Sequence, residues 1–348
     1  MNQNPISISE DIKKSILDES NGICSNPECN TTINLSNLHF CIVFQPGIQH
    51  TDNFLALCPG CARKHQTQQI PQAAIQAWKI LILAQNGTIQ SRQMDMKLGA
   101  IRNYPGLKPF FPEQYMVFPF LGGKIYLKIK ESQMMLARAM GIYEPDKTQT
   151  ICDLLKPGQT FIDIGANKGD FSLLAAKITG TNGKILSFEP EPENCHWFKE
   201  SIKLNNYSTI QLFDIALSDS NGQAQLYLGE KSGWHSLVSA QGSTDNSFIE
   251  VKKRTLDSVL SENDINRVDM IKIDVEGAEM EVLAGAEKTL SENTDLVLLL
   301  DLHPHMGVDV KAVYDFLISK GFNIFSIKPP HPVISTINSS ITEIMAKR

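Results

Sequence analysis

Thirteen residues, TFIDIGANKGDFS from Thr160 to Ser172, constrain this chain more than any other stretch. An apolar run ends in Asp163, turns through Gly165 and Gly169 and passes into a helical pattern. Phe161, Ile162 and Ile164 read as a strand buried on both faces, which requires a parallel sheet covered by helices. Glycines at its tip are expected to let backbone N–H groups approach a ligand without an intervening Cβ, and the helix start over Lys168 to Phe171 adds its positive dipole end.

The glycine spacing separates two kinds of ligand. A dinucleotide fingerprint has the form G-x-G-x-x-G, whereas here Asp163 precedes Gly165 by two positions and Gly169 follows four later. That spacing resembles an S-adenosylmethionine loop, with Asp163, Gly165, Ala166, Asn167 and Gly169 as candidate cofactor contacts. Three further strand ends follow in βα order. Lys184–Pro190 closes on Glu189, placed to accept the ribose hydroxyls of an adenosine. Ile210–Ala216 offers Asp214 and Ala216 to the adenine edge and face. VDMIKIDVEGAEMEVLAGA carries Asp274 and Glu276 to a strand tip before a helix opens at Gly277.

Together GIYEPDKTQTICDLLKPGQTFIDIGANKGDFSLLAAKI, ILSFEPEPENCHWFKESIKLNN, RTLDSVL and VDMIKIDVEGAEMEVLAGAEKTL resemble the FkbM family of S-adenosylmethionine-dependent methyltransferases. The resemblance covers roughly residues 120–330, and KIDVEGAE is its most specific segment. It implies a seven-stranded, Rossmann-like class I methyltransferase sheet and O-methylation of a hydroxyl on a sugar, polyketide or other small-molecule acceptor. It also implies that Glu144, with Tyr143, approaches the methionine end of the cofactor.

Methyl transfer to an alcohol requires alignment of donor and acceptor and removal of a proton. Candidate catalytic groups are Asp274, nearest the transferred methyl by position, Glu276, His235 in GEKSGWHSL, and His303, with His305 beyond it. Asp274, Glu276, Asp301 and His303 could hold Mg²⁺, or mutual repulsion could raise one carboxyl pKa and make a metal-free base. The sequence does not choose between these, and the metal-free arrangement is the one favoured.

Residues 1–84 are of another kind. Cys24-x4-Cys29 and Cys58-x2-Cys61 form two close pairs about thirty residues apart, the arrangement by which two knuckles supply four thiolates to one structural zinc. Cys41 falls outside the pairs as a buried thiol. The segment resembles an HNH endonuclease module, with His39 in the general-base position, Asn53 fourteen residues on and Cys58 five further. The histidines that should follow the last cysteine are replaced by Ala62 and Gln66, and His65 is one position off the required face, so the nuclease metal lacks ligands and the module reads as nuclease-inactive. His39 and His50 are then packing or surface residues. Arg63 and Lys64 leave room for weak nucleic-acid contact, but two basic residues are a thin electrostatic footprint.

Pro71–Leu83 predicts a helix with proline at its start. Residues 85–114 read as a linker on their proline and glycine signals, residues 115–348 as the methyltransferase domain, and 321–329 as the returning strand that closes its sheet. A net charge of −6 over 348 residues argues against bulk electrostatic binding of nucleic acid. The apolar runs fall short of a membrane span, the first residues lack a signal pattern, and seven cysteines argue against a disulfide framework. The expectation is a cytoplasmic enzyme whose zinc module recruits a protein partner or orients substrate, the alternatives being a nucleic-acid-directed methyltransferase and a non-catalytic cofactor-binding scaffold.

Overall fold

The structure is a computed structural model, described over residues 8–43, 53–87, 94–121, 123–229, 235–237, 247–334 and 340–348. It divides into two units, Met1–Phe120 with Leu127–Tyr143, and Leu121–Tyr126 with Glu144–Arg348.

The second unit is built on seven strands: β1 (Thr160–Ile164), β2 (Lys184–Phe188), β3 (Ile210–Phe213), β4 (Met270–Ile273), β5 (Val297–Asp301), β6 (Asn323–Ser326) and β7 (Glu343–Lys347). Their order across the sheet is 3-2-1-4-5-7-6, with β7 antiparallel to both its neighbours and the remaining pairs parallel. This is the α/β sheet that the βα alternation predicts, except that the alternation implied parallel strands throughout and β7 runs antiparallel. The 321–329 segment supplies the edge strand β6. The strand that enters between β6 and β5 is β7, which sequence reading missed because its five residues follow a stretch with no periodic signal.

Order reverses at β1, since the chain moves outward through β2 and β3 and then returns to lay β4 on the other side. In an open parallel sheet the crevice at such a switch point, beyond the carboxyl ends of the strands, is where ligands bind. β1 and β4 are buried at every position, and Ile162, Ile164, Leu186, Ile271, Ile273 and Leu298 share one apolar core. A small three-stranded sheet of Ala216–Leu217, Gly222–Tyr227 and Phe248–Arg254 lies between β3 and β4 in the chain. It removes Ala216 from the predicted strand end. Ala216 is buried with Leu226 and Val251 in that sheet's own core rather than facing an adenine.

In the first unit, strands His39–Ile42 and Phe54–Leu57 pair antiparallel and lead into the helix Pro59–Gln66. The helix predicted over Pro71–Leu83 runs Gln72–Gln85 with Pro71 as its cap. The predicted linker is instead helical over Met94–Arg102 and Tyr104–Leu107. Pro105 sits in the first turn of the second of these, where its missing N–H costs nothing. Tyr104, Leu107 and Phe111 are buried, and Tyr104 Oη donates to Ile129 O at 2.8 Å, so this stretch is packed structure of the first unit.

The two glycines of the turn after β1 serve the fold. Gly165 has φ +74°, and a Cβ there would lie 1.8 Å from the carbonyl oxygen of Asp274. A Cβ at Gly169, φ +88°, would lie 2.1 Å from the Phe198 ring. Gly165→Ala is therefore expected to lower the unfolding free energy by about 2–5 kcal/mol, combining left-handed backbone strain with a clash against main chain. Urea denaturation checks this, and a loss below about 0.5 kcal/mol would contradict the close approach of β1 and β4.

Candidate active site and cysteine cluster

At the turn itself the amides are engaged internally. Gly165 N–H and Ala166 N–H both donate to Phe188 O at 3.0 Å, Gly169 N–H to Ala166 O at 2.8 Å, and Lys168 N–H to Asn167 Oδ1 at 2.8 Å. Asn167 N–H donates to Glu189 Oε2 at 2.8 Å. The expectation that these N–H groups await a ligand is thus corrected: those of Gly165 and Ala166 tie the turn to the end of β2, and the glycines themselves are demanded by packing against Asp274 and Phe198. Glu189, only 5% exposed, also accepts from Glu191 N–H at 2.9 Å and from the Asn194 amide at 3.3 Å. Burial raises its pKa. A carboxylate has about four acceptor sites, so Oε2 keeps capacity for a hydroxyl.

Asp163 lies beneath the turn, fully buried, where Oδ2 accepts from Ser172 Oγ at 2.6 Å and Ser172 in turn meets Ser187 Oγ at 2.7 Å. Its Oδ1 is 3.4 Å from the Lys272 ammonium, a charge contact rather than a hydrogen bond. Lys272, on β4 and 3% exposed, donates to Gly165 O at 2.8 Å and stands 3.5 Å from Asp274 Oδ2. One ammonium thus joins the β1 tip, the glycine turn and the β4 tip. Burial alone would depress its pKa, but Asp163 and Asp274 outweigh burial and raise it. Sequence reasoning passed over Lys272. The signal was a lysine in a four-residue strand otherwise apolar and buried throughout.

A second buried lysine was also missed. Lys147, in the helix Pro145–Leu154, pairs with Glu144 and Asp301, with Glu343 Oε1 at 3.8 Å. Burial acts to lower its pKa, and Asp301 and Glu144 reverse the sign. Glu144, in left-handed backbone at φ +42°, is thereby joined to the β5 tip. Tyr143 lies under Arg138, whose Cζ is 3.9 Å from the ring centroid.

Asp274, Glu276 and His303 converge after β4 and β5. His303 Nδ1 meets Glu279 Oε1 at 2.6 Å, and Nε2 faces Glu276 Oε2 at 3.4 Å and Asp274 Oδ1 at 3.7 Å. Burial opposes charge on the imidazole, but Glu279, Glu276 and Asp274 overcome it and push its pKa up to about 9. Burial pushes Glu276 up to about 7. Asp274 is lowered, because Lys272, Lys147 and His303 outweigh its burial. Asp301 does not join this group as predicted; it turns to Lys147. His305 is exposed, its ring centroid 5.6 Å from that of His303.

His235 Nδ1 accepts from Gly229 N–H at 3.1 Å, which uses the basic lone pair that a proton acceptor needs. Ser236 links this segment to the cluster, its hydroxyl donating to Glu276 O. Asp214 is exposed just past β3, where Phe213 stacks on Phe188 with centroids 5.0 Å apart. Gly233 and Trp234 lie outside the described residues.

In the first unit, Cys24, Cys29, Cys58 and Cys61 bring their sulfur atoms within 4.8 Å of one another. Cys29 Sγ and Cys58 Sγ are 3.8 Å apart, far beyond a disulfide bond and about the edge of a tetrahedron with 2.3 Å metal–sulfur bonds. Cys58 N–H and the Asn26 amide donate to Cys24 Sγ and Cys61 Sγ at 3.3 and 3.4 Å. Cys41 is a buried thiol outside the group. Ala62 is buried where the HNH pattern calls for an imidazole, and His65 Nδ1 contacts Ile70 O at 2.8 Å. His39 is exposed and Asn53 buried, while His50 lies outside the described residues.

A mixed sheet with this strand order, its one antiparallel strand next to the edge, with an acid closing β2 and carboxylates at the β4 tip, is that of a class I methyltransferase. Residues 163–324 match the family profile described as "Methyltransferase FkbM domain". The chain is 30% identical over 196 residues to Methyltransferase 1 of Beauveria bassiana, covering 50% of this chain and 76% of that one. It is 28% identical over 185 residues to the 2-O-methyltransferase NoeI of Sinorhizobium fredii, covering 48% and 75%. It is 26% identical over 176 residues to the hexuronic acid methyltransferase AglP of Haloferax volcanii, covering 50% and 67%. The chain belongs to the FkbM methyltransferase family and is an S-adenosylmethionine-dependent methyltransferase. Among the described residues no helix is long and apolar enough to cross a membrane.

If Lys272 is the joint between β1 and β4, Lys272→Met leaves the buried Asp163 carboxylate without its cation and removes one from the half-buried Asp274, and should cost about 3–5 kcal/mol of stability. Adding Asp163→Asn should recover at least about 1 kcal/mol of that loss. Strict additivity of the two losses in urea melts would show that the pair is uncoupled.

Proposed function

We propose that this enzyme methylates a hydroxyl oxygen on a small-molecule acceptor, a sugar, polyketide or similar metabolite. The observation that carries the reading is the gathering of Glu189, Asp274, Glu276 and His303 at the carboxyl edge of β2, β4 and β5, on both sides of the switch at β1. Relatives named as a 2-O-methyltransferase and a hexuronic acid methyltransferase support oxygen as the acceptor atom.

The residues present fit the cofactor. Glu189 has an acceptor site left for the ribose diol, and Asp214 stands beyond β3 on the adenine side. The β4 and β5 tips, with Glu144 joined through Lys147, carry more carboxylate than cation, which suits a methionine half bearing sulfonium and ammonium charges. When bound, S-adenosylmethionine supplies a methyl on a sulfonium, and its carbon–sulfur electron pair stays on sulfur as the new carbon–oxygen bond forms. Lys272 fixes Asp274 relative to the glycine turn, so donor side and acceptor side are held by one rigid junction. Asp274, Glu276 and His303 form the acceptor side, where the hydroxyl proton must be removed.

Within the first unit we read the four thiols as a structural zinc site in a module whose nuclease chemistry is lost, serving a protein partner or substrate orientation. Seven free thiols fit the cytoplasm.

Calorimetric titration of the full chain with S-adenosylhomocysteine tests the first reading. Glu189→Ala is expected to weaken binding 10- to 100-fold, and equal affinity in both proteins would remove Glu189 from the cofactor site. Metal analysis tests the second: about one zinc per chain is expected, lost in Cys58→Ser, and zinc-free folded wild type would end it.

A further inference from the structure

The grouping of Asp274, Glu276 and His303 is built like a metal site. The three donor groups come from three places, the residue closing β4, the turn after it and the first turn past β5, and their ligand atoms lie within 4.8 Å of one another. The imidazole Nε2 stands 3.4 Å from Glu276 Oε2 and 3.7 Å from Asp274 Oδ1, longer than charge-assisted hydrogen bonds of about 2.8 Å. Two ligands sharing one ion at about 2.1 Å each are separated by roughly 3.0–3.5 Å.

The second observation lies behind the imidazole. Glu279, wholly buried, takes the Nδ1–H at 2.6 Å, which fixes the ring and directs Nε2 at the two carboxylates. A metal-bound histidine characteristically has its other nitrogen held by such a carboxylate. Glu279 Oε1 is braced in turn by Gly277 N–H at 3.2 Å, whereas its Oε2 is buried with no hydrogen-bond partner among the described residues. The cluster is also short of positive charge. Three carboxylates surround one imidazole, and the nearest ammonium, Lys272, is shared with Asp163. Side-chain exposures of 24, 20 and 14% for Asp274, Glu276 and His303 leave the donors within reach of solvent.

We propose that Asp274, Glu276 and His303 bind a divalent transition-metal ion, with Glu279 as the residue that orients His303. The two oxygens and one nitrogen favour an ion such as Mn²⁺ or Zn²⁺ over Mg²⁺ or Ca²⁺, which prefer oxygen throughout. Three protein ligands leave positions open for water or an acceptor hydroxyl, whose pKa the ion lowers. That role rests on the methyl-transfer reading, whereas the site itself does not. The proposal departs from the metal-free arrangement favoured from sequence, which could not show that the histidine after β5 faces both carboxylates or that a buried glutamate stands behind it.

The test uses the full chain, stripped with chelator and titrated with MnCl₂ by electron paramagnetic resonance. One Mn²⁺ per chain is expected, with imidazole nitrogen coupling in pulsed spectra. His303→Ala and Glu276→Gln should each weaken binding at least 10-fold. Glu279→Gln, which leaves every ligand in place, should weaken it about 10- to 100-fold. Affinity unchanged by all three substitutions, or bound Mn²⁺ without nitrogen coupling, overturns the proposal; the wild-type spectrum decides it even if a variant does not fold. S-adenosylhomocysteine titrated into the same samples separates the two readings. Cofactor binding without a manganese site sinks only the metal, and a manganese site without cofactor binding sinks only the methyl-transfer reading.

Discussion

Everything at the sheet's carboxyl edge depends on one buried ammonium. Lys272 reaches the carbonyl of Gly165 and the carboxylates of Asp163 and Asp274. It thereby locks the turn after β1 to the tip of β4 across the point where strand order reverses. Burying such a charge is costly unless it is paired and hydrogen-bonded, and here pairing and position are the same fact. The ammonium is stable only where the two strand tips converge, so it also specifies how they converge. Gly165 completes the junction from the other side, since the space of its Cβ is taken by the Asp274 carbonyl.

The fold was largely legible because parallel strands buried on both faces leave an unmistakable pattern, and β1, β2 and β4 each read as one. The glycine loop was legible for a reason other than the one first supposed. Its glycines mark close packing against Asp274 and Phe198, and its amides are bound to Phe188 and Glu189. A motif can therefore identify a turn correctly while misassigning what the turn's small residues are for. Ala216 failed in the opposite way. The run Ile210–Ala216 was read as one strand past Phe213 into what is a separate small sheet, because nothing local marks where one sheet ends and another begins.

The lysines were illegible for a different reason. Hydrophobic periodicity treats a charged residue inside a strand as an interruption, and Lys147 sits on a helix whose pattern is unremarkable without knowledge of what packs above it. Their partners lie far away in sequence: Asp301 is 154 residues from Lys147, and Gly165 is 107 from Lys272. Only the sheet order brings them together. Asp301 was accordingly assigned to the Asp274 group from its strand-end position alone, whereas the buried ammonium beside it takes its carboxylate first.

Charge explains why that competition leaves a vacancy of sign at the β4 and β5 tips. Lys147 answers Asp301 and Glu144, and Lys272 answers Asp163 and part of Asp274. Among the described residues, His303 is the cation in ion-pair contact with Glu276 and Glu279, and it shares Asp274 with Lys272. A protonated imidazole supplies one charge to three carboxylates, and its geometry gives just one of them, Glu279, a short hydrogen bond. The other two stay at 3.4 and 3.7 Å from Nε2, separations too long to satisfy an imidazolium and close to those of ligands around a common ion. On the proposed reading the deficit falls where an acceptor hydroxyl gives up its proton, so a cation that fills it would act directly on the group to be methylated.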